Sequence, residues 1–335
     1  MFLMKVNFIS IVIFFLCFQY FQCKSIQMND QSDYNVSIVS NRINDLGEGP
    51  FYEPTSDSLY YVDAFKGTIV HSPLNGTPED VHVLGNKLVS LVIPFSEDES
   101  SFIVTVRSSV AKYNWKTRNV QTLSSLGVHP AGDERFNDGA CDSAGRLFIG
   151  SVVESTDAAS PLVKGGGSIY RLDGNRLIKV ASGFTLSNGM DWSVNGTSFY
   201  FNDSEDQKIY IFDYNSESGT LTNKRIFVDL KNHTDFVSNE YPDGLMVDAN
   251  DYIWTALYGG GRLVKINPKT SRVESSIRVP ASKVTSLTFG GPNLDKIYVT
   301  SSQSQSEPDS GKIYLIKSKT NQLLGKGFAY KFVSS

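Results

Sequence analysis

The feature that most constrains this chain is a strand-rich unit that recurs six times. Each unit opens on turn-forming Asp, Asn, Ser or Gly and continues into runs of Val, Ile, Tyr, Phe or Trp. The first apolar strand residues recur every 43 to 54 residues, at Leu59, Phe102, Leu147, Phe199, Ile253 and Ile297. A period of about 40–50 residues with several strands per unit is typical of a propeller blade. The sequence therefore predicts an all-β, six-bladed β-propeller.

Two observations argue against the competing architectures. Long helical periodicity is absent after the N-terminal segment, and a pair of β-sandwiches would not favour six similar units. One such sheet cannot bury both of its faces alone, so the units must stack radially. We expect a single propeller domain over residues 26–335, with its core at about 40–330.

Residues 1–25 are predicted to be a secretory signal peptide. A lysine at position 5 precedes an apolar run at 7–18, and Cys-Lys-Ser follows at 23–25. This is the order of a positive, an apolar and a cleavage region, and the run is shorter than the roughly 20 residues of a spanning helix. An uncleaved N-terminal anchor is the alternative. The prediction is a secreted, extracellular protein.

The rest of the chain is consistent with that compartment. Removal of the signal peptide leaves Cys141 alone, so no disulfide framework is expected. Five Asn-x-Ser/Thr sequons predict a glycoprotein, although one of them falls inside an apparent strand; they begin at Asn35, Asn75, Asn195, Asn202 and Asn232.

The charge balance limits the partners that the protein can have. A formal net charge of −4 over 335 residues lacks the basic footprint of a nucleic-acid binder. No apolar run after the signal peptide is long enough to cross a bilayer. We therefore expect a small-molecule ligand, no nucleic acid, no membrane span after cleavage, and a monomer.

Four short segments carry the candidate functional residues. Propellers bind ligands around the central channel, so polar residues in Gly-rich turns are the ones to examine. The segments are 46–50 (Leu-Gly-Glu-Gly-Pro, with Glu48), 135–139 (Arg-Phe-Asn-Asp-Gly, with Arg135 and Asn137), 187–192 (Ser-Asn-Gly-Met-Asp-Trp, with Asn188) and 241–244 (Tyr-Pro-Asp-Gly, with Asp243). Taken singly, each is also compatible with an ordinary polar turn.

Together, Glu48, Asn188 and Asp243 form an all-oxygen set with two negative charges. Such a set suits one hard divalent ion, and Ca²⁺ is expected because extracellular Ca²⁺ is abundant; Mg²⁺, Mn²⁺ and Zn²⁺ are the alternatives. Too few cysteines remain for a thiolate zinc site, and the four scattered histidines are expected at the surface. A nucleophile elbow and a phosphate-binding glycine loop are both absent from the sequence.

In this order, the four segments resemble the regucalcin/gluconolactonase/luciferin-regenerating enzyme family. Residues 285–291 and 297–300 resemble its final repeat, so the resemblance covers roughly residues 40–330. It implies a six-bladed propeller with one channel metal. It also implies that Glu48, Asn188 and Asp243 bind the metal, and that Arg135 and Asn137 hold a sugar-lactone substrate.

The resemblance implies two further acids. An ungapped alignment puts Ser155 where the family has a substrate-binding glutamate, and Glu154 lies one place earlier. A regular strand points Glu154 to the other face, and a bulge could restore it, so Glu154 is the remaining substrate-binding candidate. Asp203 resembles a further channel-facing acid, one that supports the metal ligands without binding the metal itself.

The predicted function is metal-dependent hydrolysis of small cyclic esters such as sugar lactones. The ion activates a water, and Asp243 is the candidate catalytic base. Two alternatives stay open because fold alone does not fix function. One is a metal-dependent hydrolase of an organophosphate, a nitrile or an aromatic lactone. The other is a secreted calcium-binding protein without turnover.

Overall fold

The computed structural model describes residues 33–85, 87–155, 157, 160–327 and 329–334. The predicted signal peptide lies outside these residues. Within them the chain forms 24 strands and a 3-10 turn at Leu230–Asn232. The strands are β1 (Tyr34–Ser40), β2 (Gly47–Glu53), β3 (Ser58–Asp63), β4 (Thr68–Pro73), β5 (Asp80–Val83), β6 (Val92–Pro94), β7 (Ser101–Val106), β8 (Ser109–Asn114), β9 (Val120–Ser125), β10 (Asp133–Cys141), β11 (Leu147–Glu154), β12 (Gly167–Asp173), β13 (Arg176–Phe184), β14 (Ser187–Trp192), β15 (Ser198–Asp203), β16 (Lys208–Asn215), β17 (Thr220–Asp229), β18 (Tyr241–Val247), β19 (Ile253–Tyr258), β20 (Arg262–Ile266), β21 (Val273–Arg278), β22 (Val284–Gly290), β23 (Lys296–Ser301) and β24 (Ile313–Ser318).

The described strands form six antiparallel four-stranded sheets, which confirms the predicted propeller. Blades 1 to 5 are β2–β5, β6–β9, β10–β13, β14–β17 and β18–β21. Blade 6 takes β22–β24 from the C-terminal part and β1 from the N-terminal part as its outermost strand. The ring is therefore closed by pairing between the two ends of the chain, from Tyr34 opposite Ser318 to Ser40 opposite Ile313.

The repeat positions identify the second strand of each blade. All six lie in β3, β7, β11, β15, β19 or β23, and each side chain is at most 1% exposed; they are Leu59, Phe102, Leu147, Phe199, Ile253 and Ile297. These strands are covered on both faces because neighbouring blades pack against each other. They consequently read as continuous apolar runs, whereas an outermost strand such as β9 is largely exposed.

The innermost strands are interrupted by bulges at a similar level in five blades. The register shifts between Glu48 and Phe51 in β2, and the other four shifts lie at 136–139 in β10, 187–190 in β14, 242–245 in β18 and 284–287 in β22. A bulge redirects side chains locally. The expectation that the candidate residues lie in turns is therefore wrong, because they lie on strands at or near these bulges.

The C-terminal segment crosses the channel at the end where the innermost strands finish. This C-terminal strap, residues 323–327 and 329–334, has contacts with all six blades. Its main chain hydrogen-bonds to Pro94 of blade 2, Gly145 at the β10–β11 turn of blade 3, Ala249 beside blade 5 and Leu294 of blade 6. Its lysines pair with blades 1 and 4, Lys331 with Glu53 at 2.6 Å and Lys326 with Asp191 at 2.5 Å.

Two expectations about surface groups are refined by the structure. His82 is 4% exposed, stacks on Trp115 with 4.0 Å between ring centroids, and is hydrogen-bonded to Tyr113, so its predicted surface position is wrong. Four sequon asparagines are exposed and Asn202 is fully buried. No helix in the described part of the chain is long and apolar enough to span a membrane.

Candidate metal and substrate site

A cavity of about 320 Å³ lies at the end of the channel where the innermost strands begin. Its walls come from blades that are far apart in sequence, and five of the predicted site residues line it together: Glu48, Arg135, Asn137, Asn188 and Asp243. Ser90, Asp138, Ser204 and Glu205 complete its polar surface, and its apolar surface includes Phe65, Leu88 and Leu186. Glu154 and Asp203 do not line the cavity.

Two of the three predicted metal ligands, Asn188 and Asp243, present unpaired oxygens. Asn188 and Asp243 are each 5% exposed, and the Oδ1 atom of each has no hydrogen-bond partner among the described residues. The Nδ2 atom of Asn188 donates to Ser204 Oγ at 3.0 Å, so the amide oxygen is the end left for a ligand. A buried oxygen without a partner costs free energy unless a ligand occupies it, so both atoms fit a cation site.

The carboxylates around the cavity repel one another. Burial raises the pKa of Glu48 well above its ordinary value, and the charge of Asp138 adds to the effect. Burial likewise raises the pKa of Asp243, with Glu48 as the next largest cause. Burial also raises the pKa of Asp138 to about 6, against a hydrogen bond from the main-chain N–H of Gly139 that lowers it. A bound divalent cation relieves this repulsion, because it favours the charged form of each group.

The types of side chain that lie close together limit the kind of metal site that they can form. In the described part of the chain, no three His, Cys, Asp or Glu side chains are close enough together to hold a metal ion. The set that fits is therefore two carboxylates and one amide, Glu48, Asp243 and Asn188. Calcium and magnesium sites commonly combine a few such oxygens with water or substrate oxygens.

Arg135 and Asn137 are joined to each other and to the next blade. Nη1 of Arg135 donates to Asn137 Oδ1 at 3.0 Å, and Nδ2 of Asn137 donates to the main-chain oxygen of Ser187 at 2.9 Å. The arginine is thereby held beside the strand that carries Asn188. Glu154 pairs with Nε of Arg135 at 2.6 Å.

Asp203 lies outside the cavity and is hydrogen-bonded to the segment before β14. Its buried carboxylate accepts the main-chain N–H groups of Thr185 at 2.9 Å and Leu186 at 3.0 Å, which lead into β14. The expectation that Asp203 faces the channel is wrong, because its side chain is directed to these amides. A role in supporting Asn188 stays a prediction.

A family model described as "SMP-30/Gluconolactonase/LRE-like region" matches residues 46–303. The chain belongs to this family. It is 31% identical to a regucalcin of Macaca fascicularis over 264 residues, which are 78% of this chain and 85% of the macaque protein.

Solved structures show the same fold as this chain. It is similar to a luciferin-regenerating enzyme, with a TM-score of 0.81, 25% identity, and coverage of 90% of this chain and 99% of that one. It also resembles a calcium-binding regucalcin from Agrobacterium tumefaciens, with a TM-score of 0.77, 21% identity, and coverage of 90% and 98%. A gluconolactonase from Xanthomonas campestris has a TM-score of 0.65, 16% identity, and coverage of 85% and 89%.

Three residues in or next to the cavity were not among the sequence candidates. Asp138 lines the cavity, Ser204 orients Asn188 and donates to the main-chain oxygen of Pro242 at 2.6 Å, and Arg107 pairs with Glu154 at 3.0 Å. Asp138 was visible inside the Arg-Phe-Asn-Asp-Gly segment. Nothing in the sequence marks Ser204 or Arg107, because both reach the site only through neighbouring strands and blades.

Proposed function

We propose that this chain is a metal-dependent hydrolase of small cyclic esters, with sugar lactones as the first substrate class to test. The observation that carries the proposal is the pair of unpaired buried oxygens on Asn188 and Asp243, in one cavity with Glu48 and Arg135. Membership of the family and the similarity to a protein described as a gluconolactonase support it.

Glu48, Asn188 and Asp243 would hold the ion. A divalent cation bound there would polarise the ester carbonyl and lower the pKa of a bound water. Ca²⁺ is the ion we propose. The regucalcin from Agrobacterium tumefaciens is described as a calcium-binding protein, and oxygen-only ligands suit a hard cation.

The remaining catalytic roles fall to three side chains of the cavity. Asp243 accepts the proton of the attacking water, since a carboxylate beside that water is within reach of its proton. Arg135 donates to the lactone and orients its carbonyl, and Asn137 holds Arg135 in place. Replacing Asp243 by Ala tests the base: wild-type turnover with metal still bound would exclude this assignment.

The first experiment is hydrolysis of D-glucono-δ-lactone after chelation, with Ca²⁺, Mg²⁺, Mn²⁺ and Zn²⁺ added singly. We expect metal-dependent turnover that is lost in Glu48→Ala and retained in Glu97→Ala, an exposed acid outside the cavity. Turnover without metal contradicts the proposal. If a folded protein that binds metal turns over no lactone, it is a hydrolase of another substrate or a calcium-binding protein without turnover.

Secretion is part of the same proposal. The predicted signal peptide and the four exposed sequon asparagines support passage through the secretory pathway. A fusion to a reporter that is retained in the cytosol would contradict it.

A further inference from the structure

A chain of charged groups lies next to the cavity and links two blades. Oε1 of Glu154 accepts from Nε of Arg135 at 2.6 Å, and Oε2 accepts from Nη2 of Arg107 at 3.0 Å. Arg135 and Glu154 belong to blade 3, and Arg107 lies in the turn between β7 and β8 of blade 2. Each carboxylate oxygen is therefore engaged by a different arginine.

The main chain of Arg107 is fixed as firmly as its side chain. Its φ is 50°, in the left-handed region that non-glycine residues rarely adopt. Its N–H donates to Leu88 at 3.0 Å, and its carbonyl oxygen accepts from Phe136 at 2.9 Å. Arg107 is thus held between a residue that lines the cavity and the strand that carries Arg135.

Arg135 has one nitrogen that these contacts leave available. Nε is bound to Glu154, and Nη1 donates to Asn137 at 3.0 Å and to the main-chain oxygen of Phe136 at 3.3 Å. Nη2 has no hydrogen-bond partner among the described residues, and the side chain is only 12% exposed. A planar guanidinium fixed at two nitrogens has one orientation, so Nη2 is the donor that remains for a ligand.

Glu154 is charged under ordinary conditions. Burial alone would raise the pKa of Glu154, but the hydrogen bonds and charges of Arg135 and Arg107 outweigh burial and lower it. Both carboxylate oxygens are already occupied by arginine nitrogens. Because Glu154 is held by these two arginines and does not line the cavity, it is not placed to accept a substrate hydroxyl directly.

We propose that Glu154 and Arg107 are positioning residues that act through Arg135. Glu154 orients the guanidinium so that Nη2 meets an oxygen of the cyclic ester, and Arg107 fixes Glu154 across the boundary between blades. Neither residue lines the cavity. The inference rests on the proposed lactone hydrolysis, and it replaces the direct substrate contact predicted for Glu154.

The kinetic test compares single and double variants on the lactone. We expect Glu154→Ala to lower kcat/KM about tenfold, mainly by raising KM, which is the usual size of losing a group that orients a ligand-binding residue. Glu154→Gln keeps an oxygen for Nε and should restore most of the loss. Arg107→Ala should act in the same direction by about threefold, because Arg135 still fixes one oxygen of Glu154.

The double variant separates the two possible roles of Glu154. If Arg107 acts only through Glu154, the double variant Glu154→Ala/Arg107→Ala is no worse than Glu154→Ala alone. Fully multiplied effects, or an Arg107→Ala variant equal to wild type, would overturn the proposal. Asp173→Asn is the matched control for Glu154→Gln, since it removes the charge from an Arg–carboxylate pair of 2.6 Å on β12 of the same blade with similar exposure, and it should leave KM unchanged.

A spectroscopic test does not depend on turnover. Nε–H of Arg135 should give a slowly exchanging ¹⁵N-correlated signal, assigned by its loss in Arg135→Lys. We expect the signal to persist in Asp173→Asn and to broaden or disappear in Glu154→Ala. If wild type turns over no lactone, the proposed function fails and this signal alone decides the orientation of Arg135. An unchanged signal in Glu154→Ala would overturn the proposed positioning.

Discussion

At the scale of single residues, the glycines after Asn188 and Asp243, two of the proposed metal ligands, make room for the neighbouring blade. A Cβ at Gly189 would lie 2.2 Å from the main-chain nitrogen of Leu245, and one at Gly244 would lie 2.3 Å from Ser286 Oγ. Neither glycine has a left-handed φ. Asn188 and Asp243 are therefore followed by glycine because the innermost strands of adjacent blades approach closely at that level.

Gly244→Ala tests this explanation. The added Cβ would also lie 2.7 Å from the main-chain Cα of Ser286, so β18 and β22 must separate. We expect a loss of about 1–3 kcal/mol in the free energy of unfolding, the usual cost of overpacking, together with weaker metal binding. Denaturant unfolding and metal titration measure the two effects. Gly127→Ala is the control, because a Cβ there meets nothing within 4 Å, and equal stability of the two variants would refute the argument.

At the scale of elements, two aspartates at equivalent positions anchor the loops that lead into ligand-bearing strands. Asp203, at the end of β15, holds two main-chain N–H groups before β14. Asp63, at the end of β3, holds those of Asp45 at 3.1 Å and Leu46 at 3.2 Å before β2. Blades 1 and 4 thus anchor these loops in the same way, and in both a proposed metal ligand, Glu48 or Asn188, follows the loop.

Replacing Asp203 by Ala should therefore affect the metal as well as the fold. Two buried N–H groups lose their acceptor, which costs about 1–3 kcal/mol each, and the loop before Asn188 loses its anchor. We expect metal affinity to fall about tenfold in calorimetric titration. Asp213→Asn, on β16 of the same blade and half exposed, should change neither quantity appreciably. Unchanged metal affinity in a folded Asp203→Ala protein would limit Asp203 to a structural role.

At the scale of the whole molecule, two separate segments of the chain hold the ring of blades closed. β1 completes blade 6 by strand pairing, and the C-terminal strap bridges the blades across the end of the channel opposite the cavity. Phe332 of the strap is 3% exposed and packs with Phe95 of blade 2 at 5.0 Å between ring centroids. The strap lies beyond residues 46–303, which the family model covers.

The contact between Lys331 and Glu53 gives the strap a pH-dependent contribution. Burial would raise the pKa of Glu53, but the hydrogen bond from Lys331 and the other contacts lower it overall. Because the folded-state pKa is depressed, this stabilisation is present above the ordinary glutamate pKa of about 4.3 and is lost as pH falls through the folded value. Lys331→Met should cost about 1 kcal/mol of unfolding free energy at pH 7 and almost nothing at low pH.

Urea unfolding at both pH values measures the difference between wild type and Lys331→Met. Lys317→Met, at an exposed position on β24, is the control and should match wild type throughout. A loss in Lys331→Met that stays the same at low pH would mean that the lysine stabilises the strap by packing rather than by its charge.

The sequence by itself determined the number of blades and selected five of the residues that line the cavity. The second strand of every blade is buried on both faces, as at Leu59 and Ile253. Its run of apolar residues can therefore be recognised from the sequence alone. The candidate residues of the cavity stand in short segments whose composition is unusual, so Glu48, Asn188 and Asp243 could be selected from sequence. The expectation that these residues lie together in one site also depended on the family resemblance.

Tertiary structure decided what depends on neighbours distant in the chain. Whether Asp243 lies on a turn or on a bulged strand is set by the strand beside it, and Pro-Asp-Gly is compatible with both. Glu154 is occupied by Arg107 from another blade, and His82 is buried by Trp115 and Tyr113 of blade 2. Periodicity and local composition report burial within an element, whereas such contacts arise only when the blades close into a ring.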